Sequence, residues 1–392
     1  MAPGAGRIRI GLALSGGGAR AAVFHLGVLG RLAEEGLLER VTFISTVSGG
    51  SLAVGLVHAL SRNRWPTSVE YLGSVSDEAR RRLTGVDVQR EVIMQTLLRP
   101  WLLLWGRAKV VSEVIQRFWG VSGLLRDLPA EPRWIINATT YESGKNWRFS
   151  HKRMGDYILG HVAHPALPVA DALAASAAVP VAIGPLRLRT SDFEWFQYKE
   201  GWRTETVPIR PRSRYVHLWD GGVYDNQGIE SLYKVGRREY REGFDFLIVS
   251  DASSRFDTSK PFLLHHRAQR IGDIAREQVR GLRARGLVEH FSTVSDSGAY
   301  LQMGNPASKI LRDAEMPEDE VLSIGGGCLP ETEVRMAAEF GTTLRKLSEE
   351  EFDRLYRHGR EVTDCTLASR CPNLFRSLSS GRERDGSRRS EE

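Results

Sequence analysis

Three short stretches hold the residues best suited to chemistry: "SGGGAR" (15–20), "ISTVSGGSL" (44–52) and "WDGG" (219–222). The second places Ser45, Ser48 and Ser51 between a β-branched run and a helical pattern. A serine on a tight strand-to-helix turn is exposed for nucleophilic attack, and the turn signature G-x-S-x-G is half present around Ser48. It reads Thr46-Val47-Ser48-Gly49-Gly50, with threonine where the first glycine belongs. Ser45 falls inside the strand and Ser51 in the first helical turn. The turn therefore favours Ser48, with Gly49 and Gly50 leaving the backbone room behind it. The bland alternative is a helix N-cap, a position serine also favours.

Gly16, Gly17 and Gly18, followed by Arg20, sit between an apolar strand and a helix, where backbone N–H groups lack partners and the helix dipole attracts negative charge. Two anions suit such a loop. One is a bound phosphate: Gly16 to Ala21 fits the dinucleotide pattern G-x-G-x-x-G/A. That reading needs an acidic residue about 20 positions on, closing the second strand, yet this strand ends in Val47-Ser48 and Glu39 precedes it. The other is an oxyanion that develops during acyl transfer, received by loop amides. Asp220 follows the strand-like run "YVHLW" and precedes two glycines, so a carboxylate from a third strand end is available as general base without histidine. Asp-Gly is also an ordinary turn signal, and Asp225 and Asp251 are the substitute carboxylates. Arg20 is either a solvated first-turn charge or a cation that holds the loop or favours an anionic substrate. A serine–histidine–acid triad would draw on His265, His266 or His290, but only two strands precede Ser48, fewer than that fold normally places before its nucleophile.

The elements that must position these groups alternate. "RIRIGLALSGGG" and "VTFISTVS" read as buried strands, and "ARAAVFHLGVLGRLAEEGL" and "GGSLAVGLVHALSR" as helices, so the chain opens β-α-β-α with short loops and implies a parallel sheet covered on both faces. Helical patterns fill 63–128. A hairpin is expected across Ser143-Gly144-Lys145, a small-residue helix in "VADALAASAAVP", strands at "RYVHLWDGG" and "FDFLIVSDAS", and a helix at "NQGIESLYKVG". A long amphipathic helix follows within 265–291, with Ile271, Ile274, Gln278 and Leu282 near one stripe.

In this order the three motifs resemble the patatin-like phospholipase family: a GGGxR/K oxyanion loop after the first strand, a nucleophile elbow after the second, and a later D-G-G/A. "AASAAVP" (174–180) is similar to the family's small-residue segment before its proline. The resemblance spans about 7–255. It implies a three-layer α/β/α fold with a mostly parallel central sheet, a Ser48–Asp220 dyad, an oxyanion loop at Gly16, Gly17, Gly18 and Arg20, no metal or organic cofactor, and hydrolysis of lipid acyl esters at a membrane or micelle surface. Thr46 departs from the family's elbow glycine and bears on catalytic efficiency more than on fold.

Composition bounds the rest. With 392 residues, 41% of them hydrophobic, the chain is long enough to bury a large core. The 54 basic and 48 acidic residues make a mixed surface, so no nucleic-acid partner is expected. Cys328, Cys365 and Cys371 are odd in number and lack zinc-ribbon spacing. "VIMQTLLRPWLLLWGRAKVV" (92–111) is interrupted by Arg99, Pro100 and Arg107, so no transmembrane segment is expected. "PWLLLWGRAKVV" could lie on a membrane surface, and the basic, aromatic stretch 187–214 could be a lid. The N-terminus has no secretory pattern, which predicts a cytoplasmic protein, peripheral to membranes at most. The expected organisation is an arm at 1–6, one hydrolase domain at 7–375 with helical embellishments at 63–128 and a C-terminal extension from about 256, and a disordered tail at 376–392. The expected function is a lipid acyl hydrolase. The alternatives are a catalytically inactive scaffold of the same fold that binds lipid or protein, or a dinucleotide-binding protein.

Overall fold

The structure is a computed structural model that describes residues 8–101, 106–180, 182–199, 205–241, 243–254, 256, 267–372 and 375. Numbered along the chain, the first strands are β1 (Ile10–Leu14), β2 (Val41–Val47), β3 (Arg133–Thr140), β4 (Asn146–Phe149), β5 (Arg153–Asp156) and β6 (Gly160–Ala163). They are followed by β7 (Leu186–Arg189), β8 (Trp195–Tyr198), β9 (Thr206–Ile209), β10 (Tyr215–Asp220), β11 (Tyr233–Lys234), β12 (Glu239–Tyr240), β13 (Phe246–Asp251) and β14 (Gly298–Gln302). The main sheet runs β14-β13-β1-β2-β3-β4-β5-β6-β8-β9, with β10 paired to β3 and β7. From β14 to β3 all neighbours are parallel, and beyond β3 they are antiparallel. The parallel strands are buried along almost their whole length, as strands covered on both faces must be.

The helices used below are α1 (Gly18–Glu34), α2 (Gly49–Leu60), α3 (Ser76–Gly85), α4 (Val88–Leu98), α5 (Ala108–Trp119), α6 (Val169–Ser176), α7 (Arg267–Thr293) and α8 (Glu349–Arg370). The strand period of two splits the core. Leu12, Leu14 and Ile44 point into the large apolar cluster with α1, α2, α5, α6 and α8, while Ala13, Phe43, Ile135, Leu247 and Val249 point into a smaller one with Leu287 of α7. This is the expected α/β architecture, helices on both faces of a sheet whose centre is parallel.

The C-terminal part is woven into that core. β13 lies beside β1, pairing Ile10 with Phe246, and β14 extends the sheet beyond it. α8 starts from a capping box between Ser348 and Glu351 and packs along α1. The contact is backbone-close: a Cβ on Gly27 would stand 2.0 Å from the Tyr356 carbonyl oxygen, and one on Gly359 would stand 2.1 Å from that of Phe24.

The hairpin at 143–145 forms as expected between β3 and β4. The helix expected in "NQGIESLYKVG" does not form. Gly228 takes φ 67, and the Asp225 carboxylate accepts the amides of Gln227 (3.3 Å) and Glu230 (2.9 Å), breaking the segment into a turn, a 3₁₀ turn, β11 and the start of a second 3₁₀ turn. The arm at 1–6 and the tail at 376–392 lie outside the described residues.

Candidate active site

Ser48 joins β2 to α2 with φ 49 and ψ −116, a conformation that costs a non-glycine residue about 1–3 kcal/mol. Its surroundings hold it there. The Ser48 N–H donates to Ser176 Oγ (2.9 Å), which donates onward to the Asn137 carbonyl (2.7 Å). Gly50 N–H donates to the Ser15 carbonyl (3.1 Å), and Leu52 N–H to that of Ser48 (3.0 Å).

Asp220 arrives from the opposite direction. β10 is antiparallel to β3, pairing Asp220 with Ala138, while β2 is parallel to β3 and pairs Val47 with Asn137. Two strands of opposite sense thus end head to head along one edge of β3, and their last residues meet. The C-terminal ends of β1 and β2 lie side by side, whereas β10 returns from the antiparallel excursion 146–209 and so runs backwards. The Ser48 hydroxyl lies beside the Asp220 carboxylate and helps to lower its pKa. Asp220 Oδ1 also accepts the Gly222 amide (2.7 Å), and its backbone carbonyl accepts Thr139 Oγ1 (2.9 Å). Burial pushes its pKa up to about 6 against the Gly222 hydrogen bond, the Ser48 hydroxyl and the Arg276 charge, which pull it down.

The glycine loop faces the same space. Gly16 approaches Ser48 so closely that a Cβ on it would stand 3.0 Å from the serine's, but its N–H is committed to the Asn226 carbonyl (2.9 Å). Of the three loop amides expected to receive an oxyanion, those of Gly17 and Gly18 have no acceptor among the described residues. Gly18 takes φ 64, and the elbow packs straight onto it: a Cβ on Gly49 would stand 2.3 Å from the Gly18 carbonyl oxygen. Gly50 is pressed against β1 in the same way, since a Cβ on it would stand 2.5 Å from the Leu14 oxygen.

Arg20 is not solvated. It is 1% exposed, with Nη1 donating to the Phe340 carbonyl (2.5 Å) and Nη2 to that of Ala252 (3.1 Å), and burial lowers its pKa to about 10 against the Asp251 charge. It ties the loop to β13 and to the C-terminal segment. The substitute carboxylates are both occupied by arginine: Asp251 by Arg280 (3.0 Å) and Asp225 by Arg283 (3.3 Å). His290 packs against Tyr233 and Tyr240, and His265 and His266 lie outside the described residues.

Thr46 is part of a network that sequence reasoning missed. Its hydroxyl accepts Trp134 Nε1 (3.0 Å) and Ser51 Oγ (2.9 Å), and Ser51 in turn bonds Ser176 (2.8 Å), the residue that holds the Ser48 amide. No local signal marks these partners, because Trp134 and Ser176 come from distant elements.

Ser48 and Asp220 open into a cavity of ≈ 530 Å³ whose walls include Gly17, Pro180, Tyr224, Asn226 and Thr342. Its cover is α7, which directs Arg276, Arg280 and Arg283 inward. The stripe expected to bury this helix instead faces outward: Ile271 is 68% and Leu282 62% exposed. Stretch 187–214, expected as a lid, contributes no described residue to this cavity; it forms β7, β8 and β9 on the antiparallel side of the sheet, and 200–204 lie outside the described residues. Among the described residues no group of three or more His, Cys, Asp and Glu side chains is placed to hold a metal ion.

The family model described as patatin-like phospholipase matches residues 12–233, more than half of the chain, and the chain belongs to that family. Among solved structures, human GIVD cytosolic phospholipase A2 superposes with a TM-score of 0.52 at 16% identity, covering 94% of this chain and 60% of that one. The same human enzyme with methyl gamma-linolenyl fluorophosphonate and terbium chloride gives 0.49 at 14% identity, covering 94% and 59%. VipD from Legionella pneumophila gives 0.34 at 15%, covering 93% and 67%. The likeness to the first is one of fold, and this chain spans about 60% of its length. No curated protein sequence matches. Among the described residues no helix is long and apolar enough to cross a membrane.

Proposed function

We propose that the protein is a lipid acyl hydrolase of the phospholipase A or lysophospholipase type, working through Ser48 and Asp220. The observation that carries this is the strained Ser48 turn, whose hydroxyl lies beside the buried Asp220 carboxylate in a cavity that Gly17 also lines, while the Gly17 and Gly18 amides have no acceptor among the described residues. Ser48 Oγ attacks the ester carbonyl carbon while its proton passes to Asp220. The N–H groups of Gly17 and Gly18 receive the negative charge that develops on the carbonyl oxygen. Asp220 then gives its proton to the leaving alcohol. A water that loses its proton to the same carboxylate then attacks the serine ester, and Asp220 returns that proton to Ser48 Oγ as the fatty acid leaves, which restores the starting state. Arg20 positions the loop through backbone carbonyls, and Gly16, Gly49 and Gly50 let loop, elbow and β1 approach one another.

An ester carried by lipid has to be collected from a membrane or micelle surface, and the exposed apolar residues of α4 and of the turn after it support that reading. Leu97, Leu98 and Trp101 are 68%, 71% and 57% exposed, with Ile93 and Met94 beside them and Arg90 and Arg99 at the flanks. Leu102 to Trp105 lie outside the described residues. The patch is tied toward the cavity mouth, since Arg107 N–H donates to the Ile183 carbonyl (2.7 Å), close to the cavity residues Val179 and Pro180. A cytoplasmic site of action with reversible attachment to lipid fits this surface.

The test is turnover of a mixed panel of phospholipids, lysophospholipids and short acyl esters by the intact protein, Ser48→Ala and Asp220→Asn, with fluorophosphonate labelling. Both variants should fold and lose turnover, and the label should map to Ser48. Turnover retained in both rejects the dyad. A folded wild type that neither turns over nor labels, yet binds vesicles, establishes the inactive scaffold instead.

A further inference from the structure

The antiparallel half of the sheet encloses a second cavity, of ≈ 480 Å³, which the proposed hydrolysis does not use. Its floor is the sheet face that also carries Phe43 and Ile135, and its far wall comes from the 230–241 segment that contains β11 and β12. Five cations line it: Arg133 at the start of β3, Arg148 on β4, Arg153 at the start of β5, and Lys234 and Arg241 opposite them.

Among the described residues only two carboxylates share this cavity, Glu230 and Asp156. Asp156 is already saturated by the Thr140 and Ser143 hydroxyls (both 2.7 Å) and the Ile158 and Leu159 amides (both 2.8 Å). Glu230 is divided: Oε1 stands 3.5 Å from Arg148 Nη2, and Oε2 stands 3.3 Å from Arg283 of α7. Among the described residues Arg133 and Arg153 have aromatic partners and no carboxylate. Arg133 lies 5.0 Å from the Phe43 ring centroid, and Arg153 lies 5.8 Å from that of Tyr198 and bonds its hydroxyl. Arg148 Nε is buried with no acceptor. Burial, and then the neighbouring arginines, hold the Arg148 and Arg133 pKa values below their usual range, and His161, stacked on Tyr198, is lowered the same way.

A fold that gathers more cations around a cavity than carboxylates to balance them raises its own electrostatic energy. The arrangement is explained by an anion that is absent from the protein's own side chains. Guanidinium forks match phosphate oxygens two at a time, and three forks from three adjacent strands around a cavity this size suit more than one phosphate group. We infer that this cavity binds a small, multiply phosphorylated anion through Arg133, Arg148 and Arg153. Two sources present the same chemistry: a free polyphosphorylated metabolite, or the phosphorylated headgroup of a lipid.

The experiment uses full-length Ser48→Ala protein, so that turnover cannot interfere. Inositol hexakisphosphate and pyrophosphate serve as soluble probes in calorimetry and thermal shift, and phosphatidylcholine vesicles with and without phosphatidylinositol bisphosphate serve in sedimentation. Saturable binding that raises Tm is expected. Arg153→Gln and Arg148→Gln should each weaken it about tenfold or more, as loss of a charge-assisted hydrogen bond implies. Arg335→Gln, an exposed arginine on another helix, should leave it unchanged. Soluble probes that bind identify a free anion as sufficient; binding confined to the bisphosphate vesicles and lost in Arg153→Gln identifies the lipid headgroup. No saturable binding to either, or binding that survives both substitutions in proteins with wild-type circular dichroism, overturns the assignment.

Discussion

The indole N–H of Trp134 donates to the hydroxyl of Thr46 at 3.0 Å, two residues before the Ser48 turn. Trp134 is also stacked on His58 of α2, with ring centroids 4.7 Å apart. The threonine that replaces the usual elbow glycine is therefore the acceptor for a buried tryptophan and for Ser51, and through Ser51 and Ser176 it reaches the amide of Ser48.

Restoring the glycine should harm the protein. Thr46→Gly leaves a buried indole N–H without its acceptor and opens space beneath the turn, so stability should fall by about 2 kcal/mol or more. Turnover should fall with it, while Thr46→Ser, which keeps the hydroxyl, should stay near wild type. Denaturant unfolding and ester kinetics on the three proteins check this. A Thr46→Gly protein that is as stable as wild type and faster would show that the network is idle.

Asp220 sets the acid limb of activity. Its carboxyl must be ionised to take the Ser48 proton, so kcat/KM should rise with pH through about 6. Arg276 is one of the charges holding this value down, and Arg276→Gln should move the limb to higher pH. A pH–rate profile flat between 5 and 8, the span over which such a group must titrate, counts against Asp220 as the base.

The same raised value runs against stability. The folded state binds the Asp220 proton more tightly than the unfolded chain does, so this contribution is full below about pH 4, the unfolded value, and is lost as pH rises through about 6. Asp220→Asn, neutral and of the same shape, should raise stability at pH 7 by up to about 3 kcal/mol while abolishing turnover. Paired melting curves at pH 4 and pH 7 measure it; a variant destabilised equally at both pH values contradicts the linkage.

Gly49→Ala tests the contact between elbow and loop. Its methyl would be 2.3 Å from the Gly18 oxygen, forcing apart the serine and the Gly17 and Gly18 amides. A loss of about 100-fold in kcat is expected, the scale of a lost oxyanion donor. Single-turnover acylation by a chromogenic ester reads the step directly.

The α4 patch separates surface work from chemistry. Leu97→Ser with Trp101→Ser should weaken partition onto phospholipid vesicles about tenfold or more and leave hydrolysis of a soluble short ester unchanged. Equal losses on both substrates would place the effect in folding instead.

What could be read from the chain was what is local. "SGGGAR", the Ser48 turn and "WDGG" declare themselves because glycines must lie beside the residues they make room for, and the structure brings all three to one cavity. What could not be read depends on distant partners. Arg20 read equally as a surface charge or as a cation holding the loop, because the carbonyls that bury it belong to the distant Ala252 and Phe340. The direction of β10 depends on how the chain returns from the antiparallel excursion, and no pattern within "YVHLWD" reports it. α7 has a helix's periodicity, but periodicity does not say which stripe faces in; here the arginines do, because Asp225, Glu230 and Asp251 wait for them.

The pairing of β1 with β13 and of α1 with α8 sets an order of events during synthesis. When the elbow and the glycine loop leave the ribosome, the strand that flanks β1 and the helix that covers α1 have not been translated. Closing such distant contacts is slow, and until it happens the apolar faces of β1 and α1 stand open to other chains. The nascent protein therefore carries its serine and loop, and later its aspartate, before the scaffold that aligns them exists, and α8 is the last of these pieces to arrive.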